Sequence, residues 1–277
     1  MQTLTDRTAL AAHRARAGDI PAAGFLHDEA RAEVHERLTE VNRSFTAPVV
    51  VSGHGALWGD WPVVPDDDPL ALRPGAHDLV VHAMALHWAD DPLGQIIQSR
   101  RALAPDGLFM GVMLGGQTLR ELRAAFAEAE TALTGGLSPR VAPMAEIRDL
   151  GGLLQRAGLA LPVADSVPLT VRYRSARALM HDLRAMGENN ALAGRSRSFT
   201  RRDLLARAED IYARRFSDGD HVTATFELIF LAGWAPHPDQ QKPLRPGSAS
   251  ARLAEALGTA ELGAGDPPRP GTKDPAP

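Results

Sequence analysis

Two glycines flank a histidine directly after a β-branched run, in Val49-Val50-Val51-Ser52-Gly53-His54-Gly55. A turn of this kind leaves backbone N–H groups free to cradle an anion. The spacing of a phosphate loop is missing and no Lys follows, so nucleotide hydrolysis is not the chemistry expected. Asp66-Asp67-Asp68 is an acidic triplet before Pro69, either a solvated turn or a set of acceptors for a ligand. His54, His82 and His87, with Asp90 or Asp91, have the donor types of a metal site with two histidines and a carboxylate. His82 and His87 are five residues apart, which on a continuing strand puts them on opposite faces, so no metal is expected. Asp78 reads as an anchor at a strand start rather than as a catalytic acid. Arg195, Arg197, Arg201 and Arg202 form a basic cluster, a solvated face or a docking surface for an acidic partner.

These residues need a scaffold. Phe25, Leu26, Ala30, Val34, Leu38, Val41 and Phe45 recur at helical spacing and predict a helix over 25–44. Strands are expected at 49–51, at the nearly continuous apolar run 78–84, and at 108–114. Between the last two, a helix over 92–103 carries Pro92 in its first turn, and Ala104-Pro105-Asp106-Gly107 reads as a turn in which Gly supplies positive φ. Helices follow at 118–132, 143–157, 175–186 and 201–215, with late strands at 167–173 and 223–234. This order predicts an open, mostly parallel α/β sheet with helices on both faces, finished by an antiparallel pair. Residues 1–24 read as a basic N-terminal arm that packs weakly, 25–235 as the domain, and 236–277 as a Pro/Gly-rich tail too poor in apolar residues to order itself.

Composition narrows the function. The 277 residues carry 30 Lys+Arg against 34 Asp+Glu, a net charge of −4, so no basic excess is left for nucleic acid. The absence of cysteine removes disulfides, zinc knuckles, iron–sulfur ligation and thiol nucleophiles. No apolar run approaches the roughly 20 residues that span a bilayer, and no apolar signal core follows the first residues. A cytoplasmic protein is expected, and the Ala/Arg/Gly/Pro bias suggests a GC-rich bacterial genome.

Asp78-Leu79-Val80-Val81, Leu86-His87-Trp88 and Leu103-Ala104-Pro105-Asp106-Gly107 resemble class I S-adenosylmethionine-dependent methyltransferases. The subgroup with the malonyl-carrier-protein methyltransferase of biotin synthesis is similar. Gly115–Arg123, Gly135–Pro143, Asp149-Leu150-Gly151, Arg156-Ala157-Gly158 and Met186-Gly187-Glu188-Asn189-Asn190 resemble the methyltransferase-like assembly factor family of respiratory complex I. That resemblance implies a Rossmann-like methyltransferase fold and a protein partner in a complex I subunit, with peripheral association with the membrane complex. In mitochondria the family is associated with arginine hydroxylation. It further implies S-adenosylmethionine as cofactor, held by Gly53, His54, Gly55, Asp66, Asp67, His87 and Trp88. Asp66-Asp67-Asp68 matches the stretch that contacts the adenine, and His87-Trp88 the mouth of the pocket. If Gly135–Pro143 and Met186–Asn190 serve recognition, they are expected to line one surface beside the strand ends.

The departure from the family lies between these motifs. A competent member carries an acidic residue for the cofactor ribose about 20 residues after its glycine loop. Here 10 residues separate Gly55 from Asp66, and one parallel crossover takes about a dozen or more. A βαβ segment is therefore read as lost at one edge, with the ribose carboxylate, and Trp58 and Trp61 as filling the space rather than as a ligand platform. A charge-assisted hydrogen bond is worth about 1.5–3 kcal/mol, roughly 10–150-fold in affinity, so weak cofactor binding is expected. The first functional reading is a complex I assembly factor that binds or acts on a subunit with S-adenosylmethionine binding weakened or lost. The alternative is an active methyltransferase with a small-molecule or carrier-protein acceptor.

Overall fold

A computed structural model describes residues 3–17, 24–59 and 61–237. Asp60 and the expected Pro/Gly-rich tail beyond His237 lie outside them. In chain order the helices are α1 (Arg7–Ala17), α2 (Phe25–Glu40), α3 (Pro92–Ala102), α4 (Arg120–Thr134), α5 (Ile147–Arg156), α6 (Ala176–Ala185) and α7 (Arg202–Arg215). The strands are β1 (Pro48–Val51), β2 (Val63–Val64), β3 (His77–Ala83), β4 (Leu103–Leu114), β5 (Ala160–Tyr173), β6 (Ser217–Asp218) and β7 (His221–Trp234).

The sheet runs β2-β1-β3-β4-β7-β5, with β6 on β7. Pairings among β2, β1, β3 and β4 are parallel, and β7 lies antiparallel to β4 and β5. Strand alternation sorts the core. Val50, Leu79, Val81, Met110 and Phe226 face α2, α4 and α7, while Val49, Val51, Val80, Phe109 and Ile229 face α3 and α5. The shortened edge has its physical form here. On the outer side of β1, among the described residues, stands the two-residue β2, with a single 3₁₀ turn at Gly55–Trp58 between them. Trp58, 1% exposed, fills the core under that turn.

Three local expectations change. The turn at Ala104–Gly107 is an irregularity inside β4, where the register with β3 slips, and Asp106 rather than Gly107 takes the positive φ, +60°. Asp tolerates that region, whereas a Cβ on Gly107 would crowd the Ala104 carbonyl oxygen at 2.9 Å. The late strand begins at Ala160, well before 167, because β7 is long enough to pair with it throughout. The N-terminal arm is helical but does not pack weakly. Leu10 is 1% exposed among Trp88, Ala142, Ala191 and Leu192, and Asp6 N donates to Ala191 O while Ala193 N donates to Leu4 O.

Phe226 is fully buried on β7, edge-on to Phe25 with ring centroids 6.0 Å apart. Phe226→Ala is expected to cost about 3–5 kcal/mol in urea unfolding. Val163→Thr, on the exposed side of β5, should stay within about 0.5 kcal/mol. Equal effects at the two positions would contradict the placement of the core.

Candidate functional site

The parallel strands end on one side of the sheet, where α/β folds bind ligands. β1 delivers Ser52-Gly53-His54-Gly55, β2 delivers Pro65-Asp66-Asp67, β3 delivers Leu86-His87-Trp88, and β4 delivers Gly115-Gly116. Around the glycine turn, Ser52 Oγ accepts from His54 N at 3.1 Å. Gly53 does not need positive φ. A Cβ there would overlap the guanidinium of Arg14, which lies directly over it. Gly187, at φ +77°, also lets α1 come close, with Arg14 Cα 3.2 Å from where its Cβ would stand.

Asp66 is buried, and α1 takes both its oxygens. Arg14 Nη1 donates to Oδ1 at 2.8 Å, Arg7 Nη1 to Oδ2 at 3.3 Å, and Arg7 Nη2 to the Asp66 carbonyl at 2.6 Å. Burial pushes the Asp66 carboxyl up, but the Arg14 and Arg7 charges and hydrogen bonds outweigh it and hold the pKa below the usual range. Asp67 is exposed, with Arg7 3.8 Å away. A cleft of about 490 Å³ remains between α1, the glycine turn and Asp66-Asp67.

Behind the turn lies a second polar group. His54 meets His27 of α2 edge-on at 4.8 Å. Trp88 Nε1 donates to Glu188 Oε2 at 2.8 Å, and His87 Nε2 lies 3.4 Å from the same oxygen. Burial pushes the Glu188 carboxyl up, yet the hydrogen bond and charge of His87, with Arg14 and His54, hold it at about 2. Buried atoms without a hydrogen-bond partner concentrate here: Arg14 Nε and Nη2, both ring nitrogens of His27, His54 Nε2, His87 Nδ1 and Glu188 Oε1. His82 stands apart from them, with Nε2 on Gln95 Oε1 at 2.7 Å. Among the described residues, no group of three or more His, Asp or Glu is placed to hold a metal ion.

Gly135–Pro143 and Met186–Asn190 meet at one place. Ser138–Ala142 and Glu188–Asn190 line a cleft of about 340 Å³ next to Leu114, the last residue of β4. Asn190 Nδ2 donates to Pro139 O at 2.7 Å, which ties the two segments together. The basic cluster is largely paired: Arg195 and Arg197 with Asp6, and Arg201 with Asp203. Asp78 accepts from Thr46 N and Ala47 N and anchors the entry to β1.

The chain is 39% identical over 188 residues to the mitochondrial arginine-hydroxylase NDUFAF5 of Dictyostelium discoideum, covering 67% of this chain and 43% of the relative. It is 37% identical over 194 residues to the human protein of that name, covering 70% and 56%. It is 36% identical over 185 residues to a malonyl-[acyl-carrier protein] O-methyltransferase of Laribacter hongkongensis, covering 67% and 60%. The chain belongs to the class I S-adenosylmethionine-dependent methyltransferase superfamily. It spans about half the length of the curated relatives it matches. No family model matches it. Among solved structures, a protein assigned as a methyltransferase from Bacillus halodurans gives a TM-score of 0.47 at 13% identity, covering 74% of this chain and 99% of the other. A phosphoethanolamine N-methyltransferase of Haemonchus contortus in complex with S-adenosylhomocysteine gives 0.40 at 11%, covering 74% and 53%.

For a methyltransferase-family chain, the residues that sequence reading left without a role are the informative ones. Arg7, Leu10 and Arg14 stand at spacings of three and four on one face of α1, a signal that was legible but was masked by the many Arg and His around it. His27 is buried with Leu26, Ala30 and Val34 on α2, although it does not belong to the apolar periodicity of that helix. Burial first, then the neighbouring His54, pushes the His27 pKa down to about 3. Its folded value lies below its unfolded one, so between those values the unfolded chain binds a proton that the fold refuses. Stability is therefore full above about pH 6.5 and falls as pH drops toward 3, by up to about 1.4 kcal/mol per pH unit from this group. His27→Leu is expected to flatten the decline in unfolding free energy between pH 6.5 and 4.5. An unchanged slope would mean that His27 is not held neutral.

Proposed function

We propose that this chain is a partner-binding relative of the complex I assembly factor family, with S-adenosylmethionine binding weakened or lost. The observation that carries this reading is the guanidinium of Arg14 lying over Gly53 while its Nη1 and Arg7 take both oxygens of Asp66. The glycine that a cofactor would approach is covered from within, and each oxygen of the carboxylate expected to meet an adenine amino group already accepts from a guanidinium. The residues present do not fit the cofactor in this arrangement. Of the residues that the resemblance assigns to the cofactor, Gly53, Gly55, Asp66 and Asp67 line the cleft under α1. His54 packs on His27 behind the turn, whereas His87 and Trp88 gather on Glu188, with Trp88 lining the cleft beside Leu114.

Partner recognition is supported by the other half of the site. The two segments that resemble the assembly factors most, Gly135–Pro143 and Met186–Asn190, line one cleft and are bonded to each other. In this reading the partner is a protein, a subunit of a complex I-type NADH:ubiquinone oxidoreductase. The proposed setting is the cytoplasm of a bacterium, at the periphery of that membrane complex. No helix among the described residues is long and apolar enough to cross a membrane.

Isothermal titration decides between this reading and an active methyltransferase. Wild-type protein is expected to bind S-adenosylmethionine in the high micromolar range or more weakly. Arg14→Ala uncovers Gly53 and frees one side of Asp66, and should tighten binding about 10-fold, the worth of one charge-assisted contact. Thermal melting of both proteins establishes that they are folded. Sub-micromolar binding by the wild type, weakened by Asp66→Ala, would overturn the reading and favour the enzyme.

A further inference from the structure

Two of the segments that carry the family resemblance, Asp149-Leu150-Gly151 and Arg156-Ala157-Gly158, lie on α5 and at its end, outside both clefts described above. A third cleft, of about 450 Å³, opens beside them. Leu86, Met113, Leu150 and Leu153 give it apolar surface, and α5 gives it Arg148, Asp149 and Arg156. Both arginines are exposed, and neither has an ion pair among the described residues. In the cleft beside Leu114, by contrast, Arg140 and Arg195 are both paired. Arg148, Gly152 and Arg156 recur at every fourth position, on one face of the helix. The helix therefore carries no side chain between the two cations, and nothing lies within 4 Å of where a Cβ on Gly152 would stand. This surface continues into the cleft beside Leu114, because Met144 lines both.

We infer that the α5 cleft docks an acidic segment of a protein partner, in which two carboxylates flank one apolar anchor. The two arginines are eight residues apart, about 12 Å along the axis of α5. In an extended chain, carboxylates four residues apart span about 13 Å and share a face with the residue midway between them. The anchor then enters the gap over Gly152, against the apolar lining, while each carboxylate meets one arginine. Asp149 opposes this charge, but two arginines outnumber it. A basic segment would set its cations against both arginines, and a neutral one would leave them unused. The inference rests on the proposed partner-binding role and gives the chemistry of one segment that the partner presents.

Three blocked peptides with glycine and serine flanks test it by calorimetry on the full chain. The parent has Asp-Gly-Leu-Gly-Asp at its centre, the second has Asn for both Asp, and the third has Ser for Leu. The parent should bind about 5-fold more tightly than the Asn peptide, the worth of two exposed ion pairs. It should bind about 10-fold more tightly than the Ser peptide, which lacks the anchor. Replacing both arginines, as Arg148→Gln with Arg156→Gln, should erase the preference for Asp over Asn. Gly152→Leu puts a better helix former in the gap, so it should weaken the parent peptide without lowering the thermal midpoint. Asn binding as tightly as Asp, a preference unchanged by the arginine substitutions, or no parent binding at millimolar concentration would overturn the inference. So would sedimentation with phosphatidylglycerol vesicles through the same two arginines by a chain that binds none of the peptides, which would assign the cleft to a membrane. The S-adenosylmethionine titration reports on the cofactor cleft alone, so the docking inference can fall while the partner-binding reading stands.

Discussion

A carboxylate moved out of water needs compensating charge and hydrogen bonds. Asp66 meets that requirement with Arg7 and Arg14, two turns apart on α1, and much of the site follows from it. The pair fixes α1 across the ends of β1 and β2, which places Leu10 against Trp88 and brings Asp6 to Arg195 and Arg197. The arm thus becomes a wall of the domain. Removing one arginine leaves a buried charge short of partners, so the clamp is more consequential when broken than its net worth when intact.

The sheet was legible because its cues are local and repeated. Val49-Val50-Val51 and Leu79-Val80-Val81 are apolar on both faces, and both became central parallel strands. Helices α3 and α6 began within a residue of their expected starts because Pro92 sits in the first turn of one and Ser175 caps the other. The stub β2 was not legible. Two valines in a 10-residue gap carry no period, and only pairing with β1 makes them a strand. The same limit explains Asp106: the tetrapeptide read as a turn is a register slip inside β4, and which residue takes positive φ depends on crowding from the neighbouring carbonyl.

Candidate site residues divided along a similar line. The glycine turn, Asp66 and His87-Trp88 stand at the ends of their strands as the motif order implied. What sequence could not supply was the partner of each. Arg14 is 52 residues from Asp66, and Glu188 is 100 residues from Trp88. Contacts of that range come from the topology that returns α1 and the segment after α6 to the same end of the sheet. Short motifs therefore revealed where groups gather, and tertiary packing decided what each group is bonded to.

Strand β5 forms one edge of the sheet and pairs only with β7 among the described residues. Fourteen residues of open backbone on one side of it would offer a template for a strand from another molecule. Pro162 and Pro168 lie within it, and proline is tolerated in sheets where its missing N–H would have faced outward. Asp165 and Arg172 add charge along the same strand. The edge thus discourages fibrous self-association, and a second chain is steered away from open-ended strand stacking.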